Sequence, residues 1–377
     1  MKIAFIGGRD IHKLGGIENY MYNLATQLVK MGHEPIVFCE SDHNGEEWLN
    51  GFRVIHMKSP KSRFICKPWL GFKATLKVMR HFPGTDIIHY NAGGPATGGA
   101  WLARLLRKPE LMEGHGLEWQ RSKYSGWQQK LVKKIETSAA RNSQFLIMCS
   151  DVQTEYYKEQ YGKIAVTIPT AINPPDMTRV VKSNILERFG IKEGKYFLFL
   201  ARLVQEKNPH YLIQAFDKAK DNGFQLVVAG NNPSDPQFVE ELHELSANNP
   251  DIIFTDAVYG DDKEMLLRNA FAFCVPSTIE GLSISLLEGM AYELPIIAST
   301  IPANKEVLEE DKAFWCMPED VDSLAKAIEE STADLDSIKN MIAHNKKVVM
   351  DSYTWSKVAN KYIDTLNQFL NKNNHGN

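Results

Sequence analysis

The sequence predicts an α/β protein built from two Rossmann-like, doubly wound parallel-sheet domains facing a cleft. Three observations carry this expectation. Short continuous apolar runs alternate with longer stretches of helical periodicity, the pattern of strands buried on both faces by crossover helices. The alternation restarts half-way along the chain, beyond the turn-rich break Ile172-Asn173-Pro174-Pro175-Asp176. The chain's 377 residues also exceed what one hydrophobic core usually organises.

The elements follow in order. Residues 2–6 read as the first strand. Residues 18–31 read as a helix, with Met21, Leu24, Ala25, Leu28 and Met31 at helical spacing. Strands at 34–39, 86–90 and 145–149 continue the sheet, with helices near 99–107 and 126–141. The second series reads strand 196–201, helix 209–222, strand 224–229, helix 236–248 and strand 251–255. Helix 263–269, strand 272–276, helix 286–292 and strand 295–298 complete it. A last amphipathic helix covers 353–370, ahead of a polar, frayed tail at 371–377. The predicted domains are therefore 1–172, 173–352, and a terminal helix with its tail at 353–377.

Composition narrows the function classes. With 44% hydrophobic and 24% charged residues, either half can bury a core. A net charge of −3 gives no general attraction for nucleic acid. Cys39, Cys66, Cys149, Cys274 and Cys316 are scattered and form no C-x-x-C pair. That argues against a disulfide framework and a zinc site, and fits a reducing compartment. The chain enters a strand at Lys2, leaving no room for a signal peptide. No apolar run is long enough to span a bilayer. The expected location is cytoplasmic.

Ligands of open α/β sheets sit at the carboxyl ends of the strands, so the loops there hold the candidate chemistry. Gly15 and Gly16 precede a helix. They read either as a plain loop or as a close approach to an anion at a helix N-terminus. The loop is not G-x-G-x-x-G, which speaks against a nicotinamide dehydrogenase. Glu40, after the second strand, reads as a solvated loop acid or a ribose contact. His115 lies in Glu113-Gly114-His115-Gly116-Leu117-Glu118-Trp119-Gln120-Arg121, between glycines that expose its ring. It is either an ordinary loop histidine or a donor to a sugar hydroxyl. Arg202 and Lys207 follow a strand, and two cations there suit a diphosphate, or are simply solvated. Glu280 and Glu288 flank the entry to a helix in Pro276-Ser277-Thr278-Ile279-Glu280-Gly281-Leu282-Ser283-Ile284-Ser285-Leu286-Leu287-Glu288. Ser285 to Glu288 also matches a capping box, which leaves Glu280 unexplained.

Taken together, Gly15-Gly16, His115, the Arg202/Lys207 pair and Glu280-x7-Glu288 resemble the retaining GT-B glycosyltransferases of the glycogen synthase/sucrose synthase superfamily, in their bacterial family-4 form. The resemblance runs over nearly the whole chain and in the same order. It implies a first, acceptor-side domain, a second domain for a nucleotide-sugar donor, and a terminal helix crossing back. By resemblance, Gly15 and Gly16 face the diphosphate or make room for the acceptor, and His115 approaches the transferring sugar. Arg202 and Lys207 bind the diphosphate, Glu280 contacts the sugar, and Glu288 holds the ribose hydroxyls. Amides near Gly281, Leu282 and Ser283 add phosphate contacts. Ser283 and Ser285 depart from the Gly and Pro of many relatives.

The expected reaction moves a sugar from a UDP-, GDP-, ADP- or dTDP-sugar to a glycan, lipid-linked glycan or small acceptor, in cell-surface polysaccharide synthesis. It is expected to proceed with retention and with no metal or other cofactor, since no D-x-D motif stands at a strand end. Domain closure would exclude water. A 2-epimerase of the same architecture and a noncatalytic nucleotide-sugar-binding protein are the alternatives. The segment 58–73, with Lys77, Arg80 and His81 beyond it, mixes cations with Phe64, Trp69 and Phe72. It reads as a peripheral membrane contact, or as a helix packed through Leu70, Phe72 and Leu76 with a solvated basic face.

Overall fold

The computed structural model describes residues 1–377 apart from 13–14, 63, 117–118, 120–123, 125, 220–222, 334 and 375–377, with the backbone alone at 335–337 and 373–374. The chain divides into two compact units, one of residues 1–171 with 355–377 and one of 172–354.

The first unit holds an eight-stranded sheet in the order β3-β4-β2-β1-β5-β6-β7-β8. Its strands are β1 Lys2–Ile6, β2 Glu34–Ser41, β3 Gly45–Leu49, β4 Phe52–Lys58, β5 Ile87–Tyr90, β6 Glu110–Gly114, β7 Phe145–Met148 and β8 Ala165–Thr167. All pair in parallel except β3, which runs antiparallel to β4. The second unit holds a six-stranded, wholly parallel sheet of β9 Tyr196–Leu200, β10 Gln225–Ala229, β11 Ile252–Phe254, β12 Ala272–Val275, β13 Ile296–Ser299 and β14 Phe314–Cys316. Its order is β11-β10-β9-β12-β13-β14, the doubly wound arrangement of dinucleotide folds. In each sheet the winding reverses beside the first strand, between β1 and β5 and between β9 and β12. Crevices for ligands open at the carboxyl ends of such neighbours.

The first strand of each sheet is largely apolar because both faces are covered. Ile3 and Phe5 join one buried cluster while Ala4 and Ile6 join the cluster on the opposite face. Tyr196 and Leu198 divide from Phe197 and Phe199 in the same way. The terminal helix Trp355–Asn374 belongs to the first unit. Trp355, Val358, Ala359, Tyr362 and Leu366 recur at helical spacing and complete that unit's core.

The helix expected at 99–107 instead runs Gly93–Leu105. Its five glycine and alanine positions from Gly93 to Gly99 disguise it, and close packing explains two of them. A Cβ on Gly98 would come 1.9 Å from the Pro68 carbonyl, and one on Gly71 would come 1.9 Å from that of Pro95. Helices Cys66–His81 and Gly93–Leu105 thus cross nearly backbone to backbone. The helix expected at 209–222 is Pro209–Lys218, and positions 220–222 lie outside the described residues. No disulfide joins the five cysteines. No helix among the described residues is long and apolar enough to cross a membrane.

Candidate active site

The second unit's switch point gathers most of the charged motifs. Beyond β9 the chain exposes Arg202 and turns through a 3-10 segment, Gln205–Lys207. Asn208 closes that turn in the left-handed region, at φ 54°, which asparagine tolerates. Its side-chain amide donates to the Pro276 carbonyl at 2.9 Å, and the Thr278 N–H donates to the Glu206 carbonyl at 2.9 Å. The loops after β9 and β12 are therefore stitched together. Across the seam, Lys207 forms an ion pair with Glu280. The Ser277 hydroxyl donates to the same carboxylate oxygen at 2.9 Å. Lys207 is 18% exposed and Glu280 8%, so the pair is shielded but reachable.

Helix Ile284–Ala291 starts directly beyond. Ser283 caps it, its hydroxyl accepting from the Leu286 N–H at 3.3 Å. Gly281 and Leu282 stand half-buried before this positive helix end. Glu288, farther along the helix, pairs with Lys263 of helix Gly260–Asn269 at 2.5 Å. Gly289 lets the helix lie on β12, since a Cβ there would meet the Phe273 ring at 2.8 Å. The two carboxylates are thus neutralised by two lysines. Arg202 has no ion-pair partner among the described residues, and with the helix amides it gives the crevice a positive character. That suits an anion such as a phosphate.

In the first unit, Gly15 is the N-cap of helix Gly16–Lys30. Glu18, on its first turn, is buried and folds back to accept the Arg9 N–H at 2.5 Å. A Cβ on Gly15 would fall 2.1 Å from a Glu18 carboxylate oxygen, whereas one on Gly16 would meet nothing within 4 Å. Lys67 holds the same loop, donating to the Gly8 carbonyl at 2.7 Å and pairing with Glu40 at 3.1 Å.

His115 follows β6 and is 17% exposed. Beneath it lies Glu113, with no exposure at all. One Glu113 oxygen accepts from His89 at 2.8 Å and from the Asn91 amide at 3.2 Å, and stands 3.7 Å from His115 Nε2. His89 in turn contacts the Tyr362 hydroxyl at 2.8 Å, and Tyr20 packs edge-on against the His115 ring. Burial opposes ionisation of Glu113, but His115 and His89 outweigh it and hold the carboxyl below its ordinary range. The phenols of Tyr20 and Tyr362 are pushed up, first by burial and then by Glu113.

Comparison with known proteins supplies the family. Residues 14–175 match the model of Glycosyltransferase Family 4, and residues 181–348 match Glycosyl transferases group 1. The chain belongs to the group 1 glycosyltransferases. Over 382 residues it is 25% identical to an uncharacterized glycosyltransferase of Methanocaldococcus jannaschii, covering 97% of each chain. A sucrose-phosphate synthase from Thermosynechococcus elongatus has the same fold, with a TM-score of 0.80 at 18% identity over 98% of this chain and 99% of that one. Anabaena HepE, solved in complex with UDP-glucose, superposes with a TM-score of 0.79 at 17% identity over 98% and 100% of the chains. The fold is of GT-B type.

This glycosyltransferase differs from its sequence-based reading in several places. The capping box at Ser285–Glu288 does not form: Ser283 is the cap, which sets Glu288 beyond the first turn and gives it to Lys263. Glu40 is not solvated but paired with Lys67. Leu76 does not pack its helix as Leu70 does, being 40% exposed. Lys263 and Glu18 were missed, because neither carries a local signal until the fold brings it to its partner. The clue to Glu113 is an acid directly after Leu111-Met112 and two residues before His115, in a strand buried at every position. Positions 13–14, 63, 117–118 and 120–121 of the motif segments lie outside the described residues.

Proposed function

We propose that this chain is a retaining glycosyltransferase that moves a sugar from a nucleoside-diphosphate donor to a glycan or lipid-linked glycan, in cell-surface polysaccharide synthesis. The single observation that supports it best is the Lys207–Glu280 pair at the switch point, beside the helix end capped by Ser283. HepE, with its UDP-glucose, lends support for a uridine donor.

In this reading the second unit is the donor domain and the first the acceptor side. Arg202 and Lys207 meet the diphosphate, and the amides of Gly281, Leu282 and Ser283 complete its cradle. These groups neutralise charge as the sugar–phosphate bond breaks, the role a divalent cation plays in other transferases. Glu280, held by Lys207 and Ser277, orients the sugar and is not a covalent nucleophile. Glu288 exchanges its Lys263 contact for the ribose hydroxyls. Gly15 and Gly16 leave backbone room for donor or acceptor, and His115 donates to the transferring sugar.

The acceptor's lipid link is supported by one patch on the first unit. Trp69, Leu76, Trp101 and Leu105 are 39%, 40%, 47% and 70% exposed on helices Cys66–His81 and Gly93–Leu105. Phe72 and Trp101 stack across the two helices at 6.2 Å, and Lys73 lies over Trp69 at 4.8 Å. Aromatic groups rimmed by Lys73, Arg80 and Arg104 suit an anionic membrane surface. Protein at low salt should co-sediment with anionic vesicles; recovery in the supernatant rejects this contact.

The test of the transferase is proton NMR of the product made from an α-linked UDP-sugar and a sugar acceptor. An axial–equatorial coupling at the new anomeric centre supports retention. A β-linked product refutes it, and release of a free epimerised sugar without acceptor assigns the chain to epimerisation.

A further inference from the structure

Three side chains from three separate segments meet at the open edge of the first unit's sheet. His12 comes from the loop after β1, Glu47 from β3 and His56 from β4. The Nε2 atoms of His12 and His56 each lie 2.7 Å from one oxygen, Glu47 Oε1. All three ligand atoms fall within 4.8 Å of one another. The register sets Gly45 opposite His56 and Glu47 opposite Val54, so Glu47 and His56 share a face of the hairpin. Gly45 leaves that face open, and the His43 ring lies across it, stacked on His56 at 5.5 Å. A Cβ on Gly45 would press the His43 ring at 3.3 Å. On its far side, His56 is braced by Cys39, whose sulfur stands 3.5 Å from Nδ1.

We propose that His12, Glu47 and His56 bind a divalent cation of the zinc class. Two imidazole nitrogens and one carboxylate oxygen are a donor set for zinc, cobalt or nickel, whereas magnesium and calcium take oxygen ligands. Glu47 accepts a hydrogen bond from each ring. Partial desolvation works against its ionisation, but the bonds from His56 and His12 hold its carboxyl below the ordinary value. A cation takes the place of the proton on each Nε2, and a neutral ring then carries its proton on Nδ1 instead. Tetrahedral ligands at about 2.0–2.1 Å stand about 3.3 Å apart, so each nitrogen retreats by roughly half an ångström. His12 and Glu47, 54% and 35% exposed, have the room to do so, while His56 at 9% is the fixed anchor.

Three protein ligands leave a fourth position for water or an anionic oxygen on the exposed side. The scattered cysteines, which argue against a zinc site of their own, supply no ligand to this one, and Cys39 only backs His56. The cation ties the loop that leads to Gly15 and Gly16 to β3 and β4. The site stands independently of the proposed sugar transfer, since all three of its ligands belong to the first unit.

Cobalt(II) titrated into the chelator-treated full-length protein tests the site. The expected result is the visible absorption of four-coordinate cobalt, saturating at one equivalent, bleached by zinc and unchanged by magnesium. His12→Ala and Glu47→Gln should each weaken binding about tenfold or more; His12 lies on an exposed loop, so its variant keeps the fold. Three results overturn the proposal: no saturation at one equivalent, wild-type affinity in either variant, or a sulfur-to-cobalt charge-transfer band that puts the ion on cysteine.

Discussion

Glu113→Gln is the substitution with the most sharply defined cost. Glu113 and His89 are both fully buried, and the carboxylate also serves Asn91 and stands beside His115. Removing one partner of a buried pair typically costs 3–5 kcal/mol. Glutamine keeps an oxygen that accepts from His89, so the loss should lie near the lower end, about 3 kcal/mol. The sign of its pH dependence follows from the depressed carboxyl. A carboxylate whose folded pKa lies below its unfolded value stabilises the fold above the unfolded value, near 4.5 here. That contribution is lost as pH falls through the folded pKa, where the wild type is itself protonated. The gap between wild type and variant should therefore be full at pH 7 and shrink below about pH 4. Two units need not unfold together, so the assay is urea unfolding followed by hydrogen exchange resolved by segment. Loss confined to the first unit's segments is expected. A loss under about 1 kcal/mol at pH 7, or one that does not change toward acid, refutes the reasoning.

Four further outcomes follow from other parts of the molecule. Glu110 is the counterpart of Glu113: burial raises its carboxyl to about 8 despite bonds from the Gln144 backbone. A raised carboxyl penalises folding as pH climbs from the unfolded value to the folded one, so first-unit stability should fall between about pH 5 and 8, and Glu110→Gln should flatten that slope in urea titrations. Gly98→Ala pushes a methyl against the Pro68 carbonyl, and backbone cannot give way as a side chain can. It should cost about 1–3 kcal/mol or more by denaturant melting, whereas Gly16→Ala, with open space, should be nearly neutral. Arg202→Ala should weaken UDP binding by about tenfold to a hundredfold in calorimetry, as loss of a charge-assisted contact does. Replacing Trp69 and Trp101 together by Ser should release the protein from anionic vesicles while leaving its melting temperature within about 2 °C.

Much of the fold was legible because its strands carry their own signal. Residues 3–6 and 196–200 are apolar at every position, which only strands covered on both faces require. The β3–β4 hairpin was not legible: Gly45-Glu46-Glu47-Trp48-Leu49 is mostly polar, as an edge strand exposed on one side has to be. The helix from Gly93 was hidden by the small residues that let it approach its neighbour. At the site, glycines and a strand-end arginine are recognisable locally, as are acids spaced along a helix entry. What the sequence withholds is pairing. Lys263 and Glu288 are 25 positions apart, and Lys207 and Glu280 are 73 apart. Only the neighbouring placement of β9 and β12 brings the second pair together.

The most direct test of the proposed donor site is a thermal-shift comparison of UDP, GDP, ADP and dTDP and their common sugars on wild type and Glu288→Ala. A ligand at a hundred times its dissociation constant stabilises the native state by about 2.7 kcal/mol, a readily measured rise in melting temperature. One nucleotide class, expected to be uridine, should raise the wild-type transition and fail to raise that of the variant. No shift with any nucleotide at millimolar concentration, or an equal shift in Glu288→Ala, contradicts the assignment of the second unit's crevice to the sugar donor.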